Sequence, residues 1–167
     1  MTKDIEIDVT FTNVTKLTGG DYKNDYGCDA TFTSTAQEVQ PNGDIDLSEV
    51  KEKAKLIFKL KTTEFPLNNQ TYDCRFPDPL NESFWIGPKK GPPPQKGNAP
   101  PFAGKGTLDG QFAVGNNSEK TKALLQDEND GGGPFKYCLV IQFEVGGAKK
   151  EIVIDPVIIN RRPAALQ

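Results

Sequence analysis

Histidine is absent from all 167 residues. That one absence removes Ser-His-Asp and Cys-His nucleophile systems, His-ligated zinc hydrolysis and the HExxH motif together. Any catalysis has to run on Asp, Glu, Lys, Tyr or Ser. Cysteine is nearly as scarce. Cys28, Cys74 and Cys138 are odd in number and far apart, which argues against a disulfide framework and fits a reducing compartment. With no Cys-x-x-Cys, neither a zinc site nor any other metal or cofactor is expected. No apolar run approaches the ~18 residues of a membrane span. Met1-Thr2-Lys3-Asp4 runs straight into an alternating segment rather than an apolar block, so no secretion signal, no membrane and a cytoplasmic location are expected. A net charge of −3 gives no electrostatic footprint for nucleic acid.

What is present suits strands. Hydrophobic residues are 35% of the chain, with 16 Gly and 13 Pro, a mixture that fits one β domain with long turns better than a helical bundle. Ile5, Ile7, Val9 and Phe11 alternate with polar residues, and Leu56, Phe58 and Leu60 alternate with Lys55, Lys59 and Lys61; both patterns predict half-buried strands. Further strands are expected over 28–34, 71–76, 82–86, 108–114 and 121–126. Asp46, with Glu49 three residues on, predicts a short helix over 46–53. The loop Asp127-Glu128-Asn129-Asp130-Gly131 lacks the acidic twelfth ligand of an EF-hand, since that position is Cys138; it reads as a turn. The expected architecture is a single-domain antiparallel β-sandwich over residues 1–167.

Residues 87–106 change character. Eleven of these twenty positions are Gly or Pro and four are Lys, so an exposed loop with polyproline stretches is expected.

The last forty residues are the most regular. Phe135, Tyr137, Leu139, Ile141, Phe143 and Val145 point one way, Gly146-Gly147 signals a hairpin, and Ile152 and Ile154 continue the apolar face. A two-residue turn sets Val145 against Ala148, Glu144 against Lys149, Gln142 against Glu151 and Val140 against Val153. Asp155 then falls opposite Cys138, and Lys136 becomes its diagonal neighbour, ~7–8 Å away at the backbone. The amide before Pro156 is tertiary, and its departing nitrogen is a good base. The Asp155 carboxylate can attack its own carbonyl carbon, form a five-membered anhydride and expel the prolyl amine, or it can position a water for the same bond. A fold that fixes these atoms gains effective concentration, ~7–11 kcal/mol in well-oriented cases. A lysine nearby can protonate the leaving nitrogen, or as a free amine capture the anhydride as a Lys–Asp amide. Against this, Asp-Pro is a common turn dipeptide, as at Asp78-Pro79, and a lysine beside an aspartate is usually a weak surface pair.

The stretch Ile154-Asp155-Pro156-Val157-Ile158-Ile159-Asn160-Arg161-Arg162-Pro163 resembles the ending of the bacterial DP-EP family of small β-sandwich proteins. Lys136-Tyr137-Cys138-Leu139-Val140-Ile141 followed by a hairpin and Asp-Pro resembles that family as well, and a weaker likeness reaches back to Ala54-Lys55-Leu56-Ile57-Phe58-Lys59-Leu60. The resemblance implies autoproteolysis between Asp155 and Pro156, with Asp155 joined to Lys136 by an isopeptide bond. It also implies a water-positioning acid, for which Asp73, after Tyr72, is the candidate. The chain would then be a single-turnover, aspartate-dependent endopeptidase whose substrate is its own C-terminal segment. Residues 156–167 would form a last strand, released or retained after cleavage, and self-assembly stays open. The rival expectation is a non-catalytic β-sandwich binding or assembly module that uses the 87–106 loop, with Trp85 and Phe102 as aromatic anchors.

Overall fold

The computed structural model describes residues 2–102, 111–115, 118–129 and 133–160, with the backbone alone for 155–160. Residues 103–106 of the Pro/Gly-rich segment, 108–110 of an expected strand, Asp130, Gly131, residues 161–167 and the side chains of Asp155 and Pro156 lie outside this description.

Period-two alternation builds the first strand, β1 (Thr2–Lys16), which buries Ile5, Ile7, Val9 and Phe11 and leaves Asp4, Glu6 and Thr10 in water. The same alternation shapes β4 (Lys53–Leu60), whose Leu56 and Phe58 are fully buried. The other strands are β2 (Tyr26–Thr33), β3 (Ile45–Asp46), β5 (Glu64–Leu67), β6 (Gln70–Asp73), β7 (Phe84–Pro88), β8 (Phe112–Val114), β9 (Lys122–Asp127), β10 (Phe135–Val145) and β11 (Ala148–Asn160). Helical structure among the described residues is confined to short 3-10 turns at Leu80–Ser83 and Lys96–Asn98.

One large sheet runs β7-β10-β11-β2-β1-β4-β9-β8, with β3 beside β11; β5 and β6 form a separate two-stranded sheet. The large sheet curls back on itself. Phe58 of β4 meets Phe84 of β7 at 5.3 Å and Tyr137 of β10 at 5.9 Å between ring centroids, and Phe112 of β8 meets Phe135 of β10 at 5.0 Å. Strands far apart in the ladder order therefore share one core. Burying a large apolar side chain of this kind is worth ~1.5–3 kcal/mol.

The expected all-β class holds, but the antiparallel pattern does not. β1 pairs with β4 in parallel, and β11 pairs in parallel with both β2 and β3. Long-range pairings of this kind leave no local sequence mark. The helix expected over 46–53 is also absent. The Asp46 carboxylate accepts the Ser48 backbone N–H at 2.9 Å, two residues on, and Val50 N–H bonds Leu47 C=O at 3.0 Å. Asp46 thus makes a local turn instead of a helix cap, while Leu47 and Val50 are pulled into the core. Among the described residues no helix is long and apolar enough to cross a membrane.

Candidate functional site

The hairpin from β10 to β11 turns at Gly146 and Gly147, which have φ of 58° and 83°. Both are left-handed conformations that glycine adopts without steric cost. The ladder then runs Val145↔Ala148, Glu144↔Lys149, Gln142↔Glu151, Val140↔Val153 and Leu139↔Ile154, in the register read from the sequence. Beyond it the register shifts, and the next pairs are Tyr137↔Val157 and Lys136↔Ile158. Asp155 and Pro156 together oppose Cys138, so the Asp-Pro dipeptide is a β-bulge. The cause is local: proline has no N–H to give to the ladder and is tolerated inside strands chiefly at bulges and edges. The bulge also moves Lys136 from its expected partner, Val157, to Ile158.

Alternation assigns the faces. Tyr137, Leu139, Ile152 and Ile154 join the main core, whereas Cys138, Val140 and Val153 join a second cluster with Tyr22 and Trp85 on the outer face. Lys136 shares the outer face with Cys138. The segment after β7 folds over that face as a roof. Pro94 and Pro100 are buried within it, while Lys89, Lys90 and Lys96 stay exposed. Four contacts fix the roof. Lys136 Nζ donates to the Gly91 carbonyl at 2.7 Å. Tyr22 Oη donates to the Pro94 carbonyl at 2.7 Å and lies 3.0 Å from Cys138 Sγ, which makes the thiol the donor in that second contact. Asn81 Nδ2 donates to the Pro100 carbonyl at 2.9 Å. Lys96 Nζ pairs with Glu151 Oε1 at 2.6 Å, and that bond holds the lysine above its ordinary value. Asp25 is shifted upward by burial and by the nearby Glu151 charge.

Trp85 is 2% exposed and packs on Tyr22 beneath the roof. It is a core residue, not an accessible anchor, and its indole N–H has no hydrogen-bond partner among the described residues. Phe102, at 43%, is exposed.

On the other flank of β11 the sheet opens. β11 pairs with β2 at Ile152↔Tyr26 and next meets β3 at Ile159↔Ile45. A cleft of about 630 Å³ lies here, lined among others by Asn13, Tyr22, Cys28, Asp29, Val153 and Ile154. A second bulge faces it. Thr12 pairs with Asp29 and Thr15 with Gly27, so Asn13 and Val14 oppose Cys28. Asn13 has φ 57°, and its Nδ2 donates to Asp29 Oδ2 at 2.7 Å. Burial, with the Asp29 charge second, pushes the Cys28 thiol up to about 12, so it is no thiolate nucleophile at neutral pH.

Asp73 sits elsewhere. It ends β6, pairs with Glu64, and lines a separate pocket with Tyr72, Arg75, Lys120, Gln142 and Glu144. Gln142 is four residues along β10 from Cys138, roughly 14 Å at ~3.4 Å per residue. Lys136 and the Asp155-Pro156 bulge are thus brought together by adjacent strands, and the strand of Asp73 is not beside them. Tyr22 and the Asn13–Asp29 pair line the cleft beside Val153 and Ile154, and the Gly91 carbonyl holds Lys136, without any motif that announces them. No protein-family model matches the chain, and no curated protein matches it.

Proposed function

We propose that this chain is a self-cleaving protein of the DP-EP type, a β-sandwich that cuts its own Asp155–Pro156 bond once. The observation that carries the reading is the β-bulge at Asp155-Pro156, on the strand next to Lys136, whose ammonium bonds the Gly91 carbonyl of the roof. A bulge leaves its extra residue unpaired, so the peptide bond there is not held by the regular cross-strand hydrogen bonds. Attack of the Asp155 carboxylate on its own carbonyl carbon breaks the bond to Pro156 nitrogen. That nitrogen leaves as a secondary amine after taking a proton from the Lys136 ammonium. The same transfer turns Lys136 into a free amine, which opens the anhydride to an amide and one carboxylate. Water opening the anhydride instead gives two carboxylates. The three free cysteines are consistent with a reducing compartment.

The test is the intact mass of the full chain under denaturing, reducing conditions after days at neutral pH. Loss of the twelve-residue peptide Pro156–Gln167 is the expected result. A remaining fragment one water lighter than residues 1–155 marks the Lys136–Asp155 amide. A single uncut mass for wild type, as intact as an Asp155→Ala control, refutes the proposal. It would favour the second reading, a binding module presenting exposed Phe102, Lys89 and Lys90.

A further inference from the structure

The pocket that holds Asp73 is a fork between two strand edges. Just past β6, Arg75 forms an antiparallel bridge with Gln142 of β10, bonded in both directions at 3.0 and 2.7 Å. Two residues further out, the same register would set Asp73 directly against Glu144. Like charges so placed disfavour a ladder, and the pairing stops at the bridge. The main-chain groups of both residues open into the gap. Cys74 N–H goes to Thr63 on the β5 side at 2.9 Å, so those of Asp73 face the other way. Val145↔Ala148 closes the hairpin, so those of Glu144 face away from β11. The opening measures about 410 Å³, and its charges are ordered. Arg75 and Lys120 stand at the closed end, since Phe76 N–H bonds the Lys120 carbonyl at 2.7 Å just beyond the bridge. Asp73 and Glu144 stand at the mouth. Among the described residues none of the four is in a salt bridge. Lys149, opposite Glu144, gives its ammonium to the Asp78 carbonyl at 3.0 Å instead. Gln142, beside Arg75, is 6% exposed and lines the pocket. Its Oε1 accepts Asp78 N–H at 3.1 Å, and its Nε2 meets no acceptor among the described residues.

Cations and a buried amide donor at one end, carboxylates at the other and open main-chain groups beside them suit a ligand with a carboxylate, an ammonium and a peptide unit of its own. Length narrows the class. Asp73 and Arg75 are two residues apart on one face of the strand, about 7 Å at ~3.4 Å per residue. An extended dipeptide also spans about 7 Å, whereas a single amino acid is half as long. We infer that this fork binds a zwitterionic dipeptide. Its carboxylate accepts hydrogen bonds from Arg75, Lys120 and Gln142 Nε2, its ammonium donates to Asp73 and Glu144, and its amide meets the open main chain. Arg75 is oriented in advance, because its Nε is held by the Phe76 carbonyl at 2.8 Å. The ligand ammonium also screens Asp73 from Glu144, the pair that keeps the two strands from zipping further. No covalent bond changes, and the site stands apart from the cleavage reading.

The experiment titrates the isotope-labelled full chain with alanyl-alanine at neutral pH and follows its amide resonances. Saturable shifts at millimolar peptide, centred on Asp73, Arg75, Gln142 and Glu144, are the expected result. N-acetyl-alanyl-alanine lacks the ammonium and alanyl-alanine amide lacks the carboxylate; each is expected to bind at least about tenfold more weakly. Free alanine, too short to reach both ends, is expected to bind more weakly as well. Lys120→Gln and Glu144→Gln change exposed side chains and are each expected to weaken alanyl-alanine about threefold. A folded wild type without saturable shifts overturns the proposal, as do shifts centred elsewhere. Blocked peptides that bind as tightly as the free one remove the charge recognition and overturn it too. Free alanine binding as tightly as alanyl-alanine overturns the assignment of a dipeptide, and two variants that bind like wild type remove these residues from the site. The intact mass of the chain tests the cleavage reading separately, so either proposal can fail alone.

Discussion

Removing one oxygen, in Tyr22→Phe, tests whether the roof over the bulge is held as described. The Tyr22 side chain is 5% exposed, and its ring packs on Trp85 at 6.0 Å between centroids. Phenylalanine keeps that packing, so the perturbation is confined to the hydroxyl. What is lost is the bond to the Pro94 carbonyl at 2.7 Å and the contact with Cys138 Sγ at 3.0 Å. Pro94 is buried, so its carbonyl is left without its partner; a buried acceptor stranded in this way costs about 1–3 kcal/mol. The thiol is a weak donor and adds little. For a chain of this length each kcal/mol lowers the melting temperature by roughly 2–4 °C. If the roof opens alone, the cost appears locally, and trypsin reaches the bonds after Lys89, Lys90 and Lys96 sooner. Denaturant melts and timed proteolysis separate the two cases. Gly91 belongs to the same roof and holds Lys136, so the linked share of any cleaved product is expected to fall as well. A loss below about 0.5 kcal/mol, the size of an ordinary surface change, with roof lysines protected as in wild type, refutes the reasoning.

Lys136→Ala is expected to abolish the lighter, linked fragment and to slow hydrolytic cleavage, which then takes its proton from water; a linked fragment persisting in intact-mass spectra removes Lys136 from the site. Cys28 and Cys74, each pushed up to about 12 with burial as the largest cause, are expected to resist iodoacetamide at pH 8 in the native protein and to react on unfolding. Native labelling at the rate of a peptide cysteine contradicts that. Lys96 is raised above 10.5 mainly by its bond to Glu151. The small stability it adds is therefore fully present below 10.5 and lost as pH rises through the higher folded value. The difference in denaturant midpoint between wild type and Glu151→Gln should be constant from pH 7 to 9 and shrink above pH 10.5. A difference that instead shrinks between pH 7 and 9 rules this pair out as its source.

The local half of this structure was legible and the non-local half was not, and the line between them runs through the candidate site. Alternation at Ile5–Phe11 and Leu56–Leu60 is a property of single strands, and the Gly146-Gly147 turn with Glu144 opposite Lys149 sets the hairpin register by itself. Pro156 explains the bulge, since its missing N–H cannot join the ladder, but the expected register ran straight through it and set Lys136 one residue off. Asp46 misled because the same carboxylate that caps a helix also closes a turn on Ser48. Three parallel pairings, β1 with β4 and β11 with β2 and β3, depend on residues as far apart as Tyr26 and Ile152, which nothing in either segment announces. The flank of the site that includes Lys136 comes from a hairpin and could be anticipated. The flank lined by Asn13 and Asp29 comes from strands that meet β11 through a parallel pairing and could not. A hairpin neighbour is fixed by its turn, whereas a parallel neighbour is reached only through a long crossover and leaves no mark beside the strand it joins.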